Sequence, residues 1–134
     1  KKFSSLKSNK LLGICVGMQI LASESEEGKK EGLNLIPGKV KKFKEVEILP
    51  HVGWNTVKKN GENRLLDDNK DLFEFYFLHS YYFEPKEKKY QIGFTNYFKP
   101  FTSIINNNNI YGIQFHPEKS HDSGKMLLEK FAYL

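Results

Sequence analysis

At 134 residues, with 39% hydrophobic and 14% aromatic content, the chain has the size and composition of one globular domain rather than several. No apolar run approaches the roughly 20 residues needed to span a bilayer, so a membrane role is not expected. The 21 basic against 16 acidic residues give +5, yet Arg64 is the sole arginine, which argues against bidentate phosphate or nucleic-acid recognition. The start, Lys1-Lys2-Phe3-Ser4-Ser5, lacks an apolar stretch followed by a small-residue cleavage site, and a cytoplasmic setting is expected.

In chain order, Leu11 to Gly17 is a short apolar run bounded by glycine and reads as a buried strand entering a turn. Met18, Leu21 and Ala22 then recur at helical spacing, with the polar run Ser23 to Glu27 closing the helix before Gly28. Gly32 to Gly38 reads as a loop and Lys39 to Ile48 as a half-exposed strand. Pro50 to Asn55 reads as a second irregular segment, and Asn60 to Lys70 as polar surface. The aromatic run Phe73 to Phe83 predicts a core strand running into a loop. Strands are predicted over 90–97, 101–106 and 110–115, the last two joined as a hairpin by the turn-prone Asn106 to Asn109. After His116-Pro117-Glu118, a helix of about three turns is predicted, with Leu127, Leu128, Phe131 and Leu134 on one face.

The single cysteine cannot form an internal disulfide, so Cys15 is either a buried small side chain or a reactive thiol. Gly13-Ile14-Cys15-Val16-Gly17 has the glycine spacing of a nucleophile elbow, in which a strained turn presents the nucleophile at a strand end. A helix starting there would favour thiolate, and the Val16 amide could face an oxyanion. A thiol attacking an amide needs a base that later acts as an acid. His116 is a candidate, because Pro117 stiffens a turn that could let Glu118 orient the imidazole. The competing reading of that tripeptide is a surface ion pair. His51, His79 and His121 have no ligand-like spacing, so no metal is expected, and packing or interface roles fit them better, with His79 as a possible pocket residue. Trp54 is either a core anchor or a partner contact.

Together these motifs resemble the class I, triad-type glutamine amidotransferases. The match runs over nearly the whole chain, through Gly13 to Gln19 and through Gln114-Phe115-His116-Pro117-Glu118-Lys119-Ser120. Ile36 to Val40, Pro50 to Asn55 and Tyr76 to Tyr81 resemble the histidine-biosynthesis branch, the glutaminase subunits of imidazole glycerol phosphate synthase. The resemblance implies an α/β fold: a mixed, mostly parallel sheet flanked by helices in a flavodoxin-like three-layer arrangement. It implies Cys15 as nucleophile, His116 as base and acid, and Glu118 as orienter. Gln19, Ser80, Tyr81 and Val16 would hold glutamine. His51, Gly53, Trp54, Asn55 and Tyr76 would face a (β/α)8-barrel cyclase subunit in a heterodimer, with no cofactor. Nothing before Leu11 matches the strands and glycine-rich loop with which the family begins, and the chain opens in what resembles the helix before the nucleophile strand. Residues 1–134 are therefore expected to form a single amidotransferase domain lacking its N-terminal strands and oxyanion loop. Losing one oxyanion donor typically costs about 10²–10³ in rate. Two alternatives remain at this level: a paralogous glutaminase feeding amidation of a surface-glycan sugar precursor, and a non-catalytic partner-binding fragment.

Overall fold

The structure is a computed structural model that describes residues 9–28, 31–67 and 69–134. The helix expected before the nucleophile strand lies outside the described residues. Among the described residues nine strands form one sheet. They are β1 (Leu11–Ile14), β2 (Glu24–Ser25), β3 (Gly38–Lys42), β4 (His51–Lys59), β5 (Leu72–His79), β6 (Tyr81–Pro85), β7 (Gln91–Tyr97), β8 (Lys99–Asn107) and β9 (Ile110–Ile113). The main path runs β2-β3-β6-β8-β7-β4-β5, while β9 pairs with β8 and β1 pairs with β9. The sheet is mixed, as expected, but the parallel share is smaller than expected. Among the described residues only β1–β9 and β2–β3 are parallel. Short connections explain this: β8 and β9 are joined by a turn through Asn108, at φ 55, and a tight turn can return a strand only antiparallel.

Alternation along the strands sorts the core into two faces. Ile104 enters one apolar cluster with Phe75, Phe77, Ile113, Phe115 and Leu127, while its neighbour Ile105 enters another with Met18, Leu21, Ala22 and Phe83. Successive strand side chains point to opposite faces, so these clusters lie on opposite sides of the sheet. The short helix α1 (Val16–Gln19) covers the Ile105 side through Met18, and α2 (His121–Ala132) covers the Ile104 side through Leu127 and, more loosely, Phe131. Leu128, expected on the buried face of α2, is 37% exposed. Burying a side chain such as Phe75 or Met18 contributes about 1.5–3 kcal/mol.

Helix α1 is shorter than the spacing of Met18, Leu21 and Ala22 predicts. The chain at 32–36 crosses its end and takes the carbonyls that a longer helix would use. Leu33 N–H donates to Ile20 O at 2.8 Å, Leu35 N–H to Leu21 O at 3.0 Å, and Asn34 N–H to Ala22 O at 3.0 Å. The spacing was real, but it serves burial beneath a loop.

Two further expectations are corrected. Residues 50–55 are not irregular: His51 opens β4, which pairs antiparallel with β5 from His51↔His79 to Lys58↔Leu72. Gly53, at φ +117, lets that strand take a backbone conformation other residues resist. The segment 60–70 is not wholly surface, because Leu65 and Leu66 are buried in the core. Among the described residues no helix is long and apolar enough to cross a membrane.

Candidate active site

Strand β1 ends at Cys15, whose backbone turns sharply, at φ 55 and ψ −110, to start α1. A non-glycine residue at positive φ costs about 1–3 kcal/mol and persists only where its surroundings hold it. Here the Cys15 N–H donates to Ile113 O at 2.8 Å, and its carbonyl accepts the Met18 N–H at 3.1 Å. Gly13 makes the turn possible: a Cβ there would lie 2.4 Å from Gly17 O. Gly17, the other flanking glycine, has nothing within 4 Å of a would-be Cβ.

The thiol of Cys15 and the main chain of His116 meet the same strand. The Cys15 thiol donates to Leu78 O at 3.8 Å, and the His116 N–H donates to Tyr76 O at 2.8 Å. Carbonyls two apart on a strand share an edge, about 7 Å from each other. The Cys15 thiol and the His116 backbone therefore lie along one edge of β5. His116 Nδ1 is 2.9 Å from Glu118 Oε2, the contact that the His-Pro-Glu turn predicted. Ser120, which sequence reasoning missed, staples this turn in place: its buried hydroxyl donates to His116 O at 2.6 Å and accepts the Tyr76 N–H at 2.9 Å. Among the described residues the hydrogen-bond partners of the sulfur are Leu78 O and Gln114 Nε2, so the thiol–imidazole link itself is not closed. Such links are often long before substrate binds.

The expectation of a helix-stabilised thiolate is corrected. Burial pushes the Cys15 thiol up from its ordinary value, opposed by the Val16 N–H and reinforced by the Glu118 charge. A four-residue helix has too little dipole to reverse desolvation. The resting group is the neutral thiol.

The expected substrate residues divide. Gln19 donates through Nε2 to Tyr81 O at 3.2 Å and to Gln114 Oε1 at 3.1 Å, leaving its Oε1 without a described partner. Val16, 60% exposed, and Gln19 line a cavity of about 400 Å³ together with Ile20, Glu24, Ser25, Glu27, Glu31, Gly32 and Leu33. Tyr81 offers the site its carbonyl, while its ring packs on the cluster around Met18 and Phe83. Ser80 is half-buried, and its carbonyl accepts the Phe43 N–H at 3.2 Å. Neither lines that cavity.

The expected partner residues divide as well. Trp54 is 49% exposed and stacks on His121, with ring centroids 5.6 Å apart, so the core-anchor alternative is overturned. Its register partner Tyr76 meets it edge-on at 6.2 Å, across a strand pair that also exposes Val52 and Leu78. Gly53 is half-buried between them. The side chain of His51 does not face outward. It is buried, stacked on Tyr97 at 4.0 Å, with Nδ1 2.9 Å from His79 Nε2. Asn55 lies behind it, with Nδ2 3.1 Å from His51 Nε2 and 2.9 Å from Asn96 O. His79 is likewise core rather than pocket lining. Desolvation lowers the pKa of His51 to about 4 and that of His79 to about 3, so both rings are neutral near pH 7.

Both tautomers follow from the far end of this chain. Tyr81 O can only accept, so His79 Nδ1, 2.8 Å away, carries the proton. His79 Nε2 then accepts from His51 Nδ1, and His51 Nε2 accepts from Asn55. Among the described residues no group of three or more His, Cys, Asp or Glu side chains could hold a metal ion.

The sequence model of the glutamine amidotransferase class-I family matches residues 3–133. The chain belongs to this family. Amidotransferase relatives include the imidazole glycerol phosphate synthase subunit HisH of Leptospira borgpetersenii, 52% identical over 129 residues, with 92% of this chain and 63% of that protein covered. The HisH subunit of Bdellovibrio bacteriovorus is 45% identical over 127 residues, covering 91% of this chain and 62% of that one. The amidotransferase chain described here thus spans under two thirds of the length of these relatives. Its fold is shared with a glutamine amidotransferase crystal structure from Thermotoga maritima, at TM-score 0.61 and 21% identity, covering 91% of this chain and 46% of the other. A second amidotransferase crystal structure aligns at TM-score 0.66 and 17% identity, covering 98% and 65%. That fold agrees with the α/β expectation.

Proposed function

We propose that this chain is the glutaminase part of an imidazole glycerol phosphate synthase, hydrolysing glutamine to glutamate and ammonia and passing the ammonia to a (β/α)8-barrel cyclase subunit. One observation carries the reading: a thiol in a strained elbow and the backbone of His116, whose ring is tied to Glu118 at 2.9 Å, meet one edge of β5. Relatives at 52% and 45% identity bear the name of that synthase's subunit, which favours histidine biosynthesis over a glycan pathway. The single sheet supports treating residues 1–134 as part of one domain.

In the proposed cycle, sulfur attacks the glutamine side-chain carbonyl as His116 Nε2 takes its proton. Because the resting thiol is neutral, this transfer accompanies attack rather than preceding it. The Val16 N–H faces the developing oxyanion, and Glu118 stabilises the imidazolium through Nδ1. The proton then passes to the amide nitrogen, the C–N bond breaks, and ammonia leaves a glutamyl thioester. Water, deprotonated by the same ring, attacks that thioester. The C–S bond breaks, glutamate departs, and the thiol regains its proton.

The test is labelling of Cys15 by a diazoketone analogue of glutamine, read by mass spectrometry with the barrel cyclase present. Labelling is expected, with its loss in Cys15→Ser and a fall of at least about 10²-fold in rate in His116→Ala. An unsubstituted chain that stays unlabelled beside its cyclase would end the glutaminase reading.

A further inference from the structure

Gln114 follows β9 and is 0% exposed, among the largest fully buried side chains of the protein. A buried amide without partners is costly, and a methionine would fill the same volume without that cost. Both ends of this amide are engaged. Nε2 donates to Cys15 Sγ at 3.7 Å, and Oε1 accepts from Gln19 Nε2 at 3.1 Å.

The orientation of the amide is forced. Were Gln114 flipped, its NH₂ would face the NH₂ of Gln19. Gln19 cannot flip to compensate, because its Nε2 also donates to Tyr81 O, a main-chain carbonyl that can only accept. Tyr81 O is itself anchored by His79 Nδ1 at 2.8 Å. The donor end of Gln114 therefore always points at sulfur.

We propose that Gln114 is a positioning residue that aims the Cys15 sulfur and holds it once its proton has left. The inference rests on Cys15 being the nucleophile. The two hydrogen-bond partners of the sulfur act oppositely on its charge. Leu78 O accepts from the thiol and repels a thiolate, whereas the Gln114 N–H donates to either form and favours the thiolate. The Val16 N–H acts in the same sense as Gln114, while the carboxylates of Glu118 and Glu27 oppose them. His116, bonded to Glu118, receives the proton in the proposed cycle.

Cys15 is the only cysteine, so carbamidomethylation by iodoacetamide reports this site alone. Gln114→Met keeps the volume and removes the donor; Gln114→Glu keeps the shape and replaces the donor by oxygen. Each is expected to alkylate about tenfold more slowly at neutral pH, with its pH–rate profile displaced to higher pH and a cooperative melting transition retained. A structural role alone would move the melting temperature and leave the profile in place. Folded variants whose profiles coincide with that of the unsubstituted chain overturn the proposal. If both variants fail to fold, Gln19→Met decides: it leaves Gln114 in place but releases its amide to flip. A several-fold slower alkylation supports the proposal, and an unchanged rate overturns it. Because iodoacetamide does not resemble glutamine, a Gln114-dependent profile in a chain inert to the diazoketone would defeat the glutaminase reading and leave this inference standing.

Discussion

Gly13 and Gly17 flank Cys15 symmetrically in sequence and unequally in space. At Gly13 a Cβ would sit 2.4 Å from one main-chain atom and 2.6 Å from another, with no flexible side chain to move aside. At Gly17 it would meet nothing, and the position is helical. Gly13→Ala is therefore expected to lower stability by about 1–3 kcal/mol and to distort the elbow, as overpacked sites do. Gly17→Ala is expected to be neutral or to stabilise by up to about 1 kcal/mol, because alanine restricts the unfolded chain and favours helix. Urea denaturation of the two variants checks this, and equal effects would mean that the elbow tolerates a side chain on both flanks. The glycine spacing was legible from the sequence. The side of the elbow that is crowded was not.

At the scale of elements, β4 and β5 are joined by more than their ladder. The His51 and His79 rings face one another across the pair, both buried and both neutral. Their pKa values are lowered on folding, from 6.5 to about 4 and about 3, with desolvation the leading cause in each. Below pH 6.5 the unfolded chain takes up protons that the folded chain refuses, so stability falls as pH drops. The contribution is complete above pH 6.5. It is lost as pH falls toward about 4 for His51 and onward toward about 3 for His79. Each ring contributes at most about 1.4 kcal/mol per pH unit within its window. Urea midpoints at pH 7 and pH 5 measure the effect, and a lower midpoint at pH 5 is expected. Equal midpoints would mean that these rings charge as readily in the folded state as in solution. In the sequence, His51 suited a packing or an interface role, and the resemblance set it in a segment expected to face a partner. Its inward direction depends on the register with His79, 28 residues away, which no local pattern carries.

For the whole molecule, the mixed sheet leaves one side of the β4–β5 pair exposing apolar groups. Val52, Trp54 and Leu78 are 54%, 49% and 39% exposed, and cross-strand register sets Val52 beside Leu78 and Trp54 beside Tyr76. This surface adjoins the edge of β5 that meets Cys15 and His116, since Leu78 O accepts from the Cys15 thiol and Tyr76 O from the His116 main-chain N–H. On the proposed function, it is the surface that meets the cyclase. Trp54→Ala is expected to weaken that complex by about 2 kcal/mol or more, roughly 30-fold in Kd, with little effect on melting, because a half-exposed ring supports the interface more than the core. Calorimetric titration against the cyclase measures it. Undiminished affinity would remove this side of the sheet from the interface.

The sequence by itself determined the features written within a few residues: the elbow at Cys15, the His116–Glu118 contact, the β8–β9 hairpin and the C-terminal helix. Those features are local in their physics. A strained turn needs a nearby glycine, an i, i+2 ion pair needs only a turn, and side-chain period reports which face is buried. Tertiary structure alone decided the antiparallel bias of the sheet, the shortening of α1, the inward His51–His79 pair and the arrival of the Cys15 thiol and the His116 backbone on one edge of β5. It alone also placed Gln114 against the sulfur, across 99 residues of chain. Such contacts depend on which carbonyls and amides remain unpaired once the strands have found their partners, and a local stretch of sequence carries no record of that outcome.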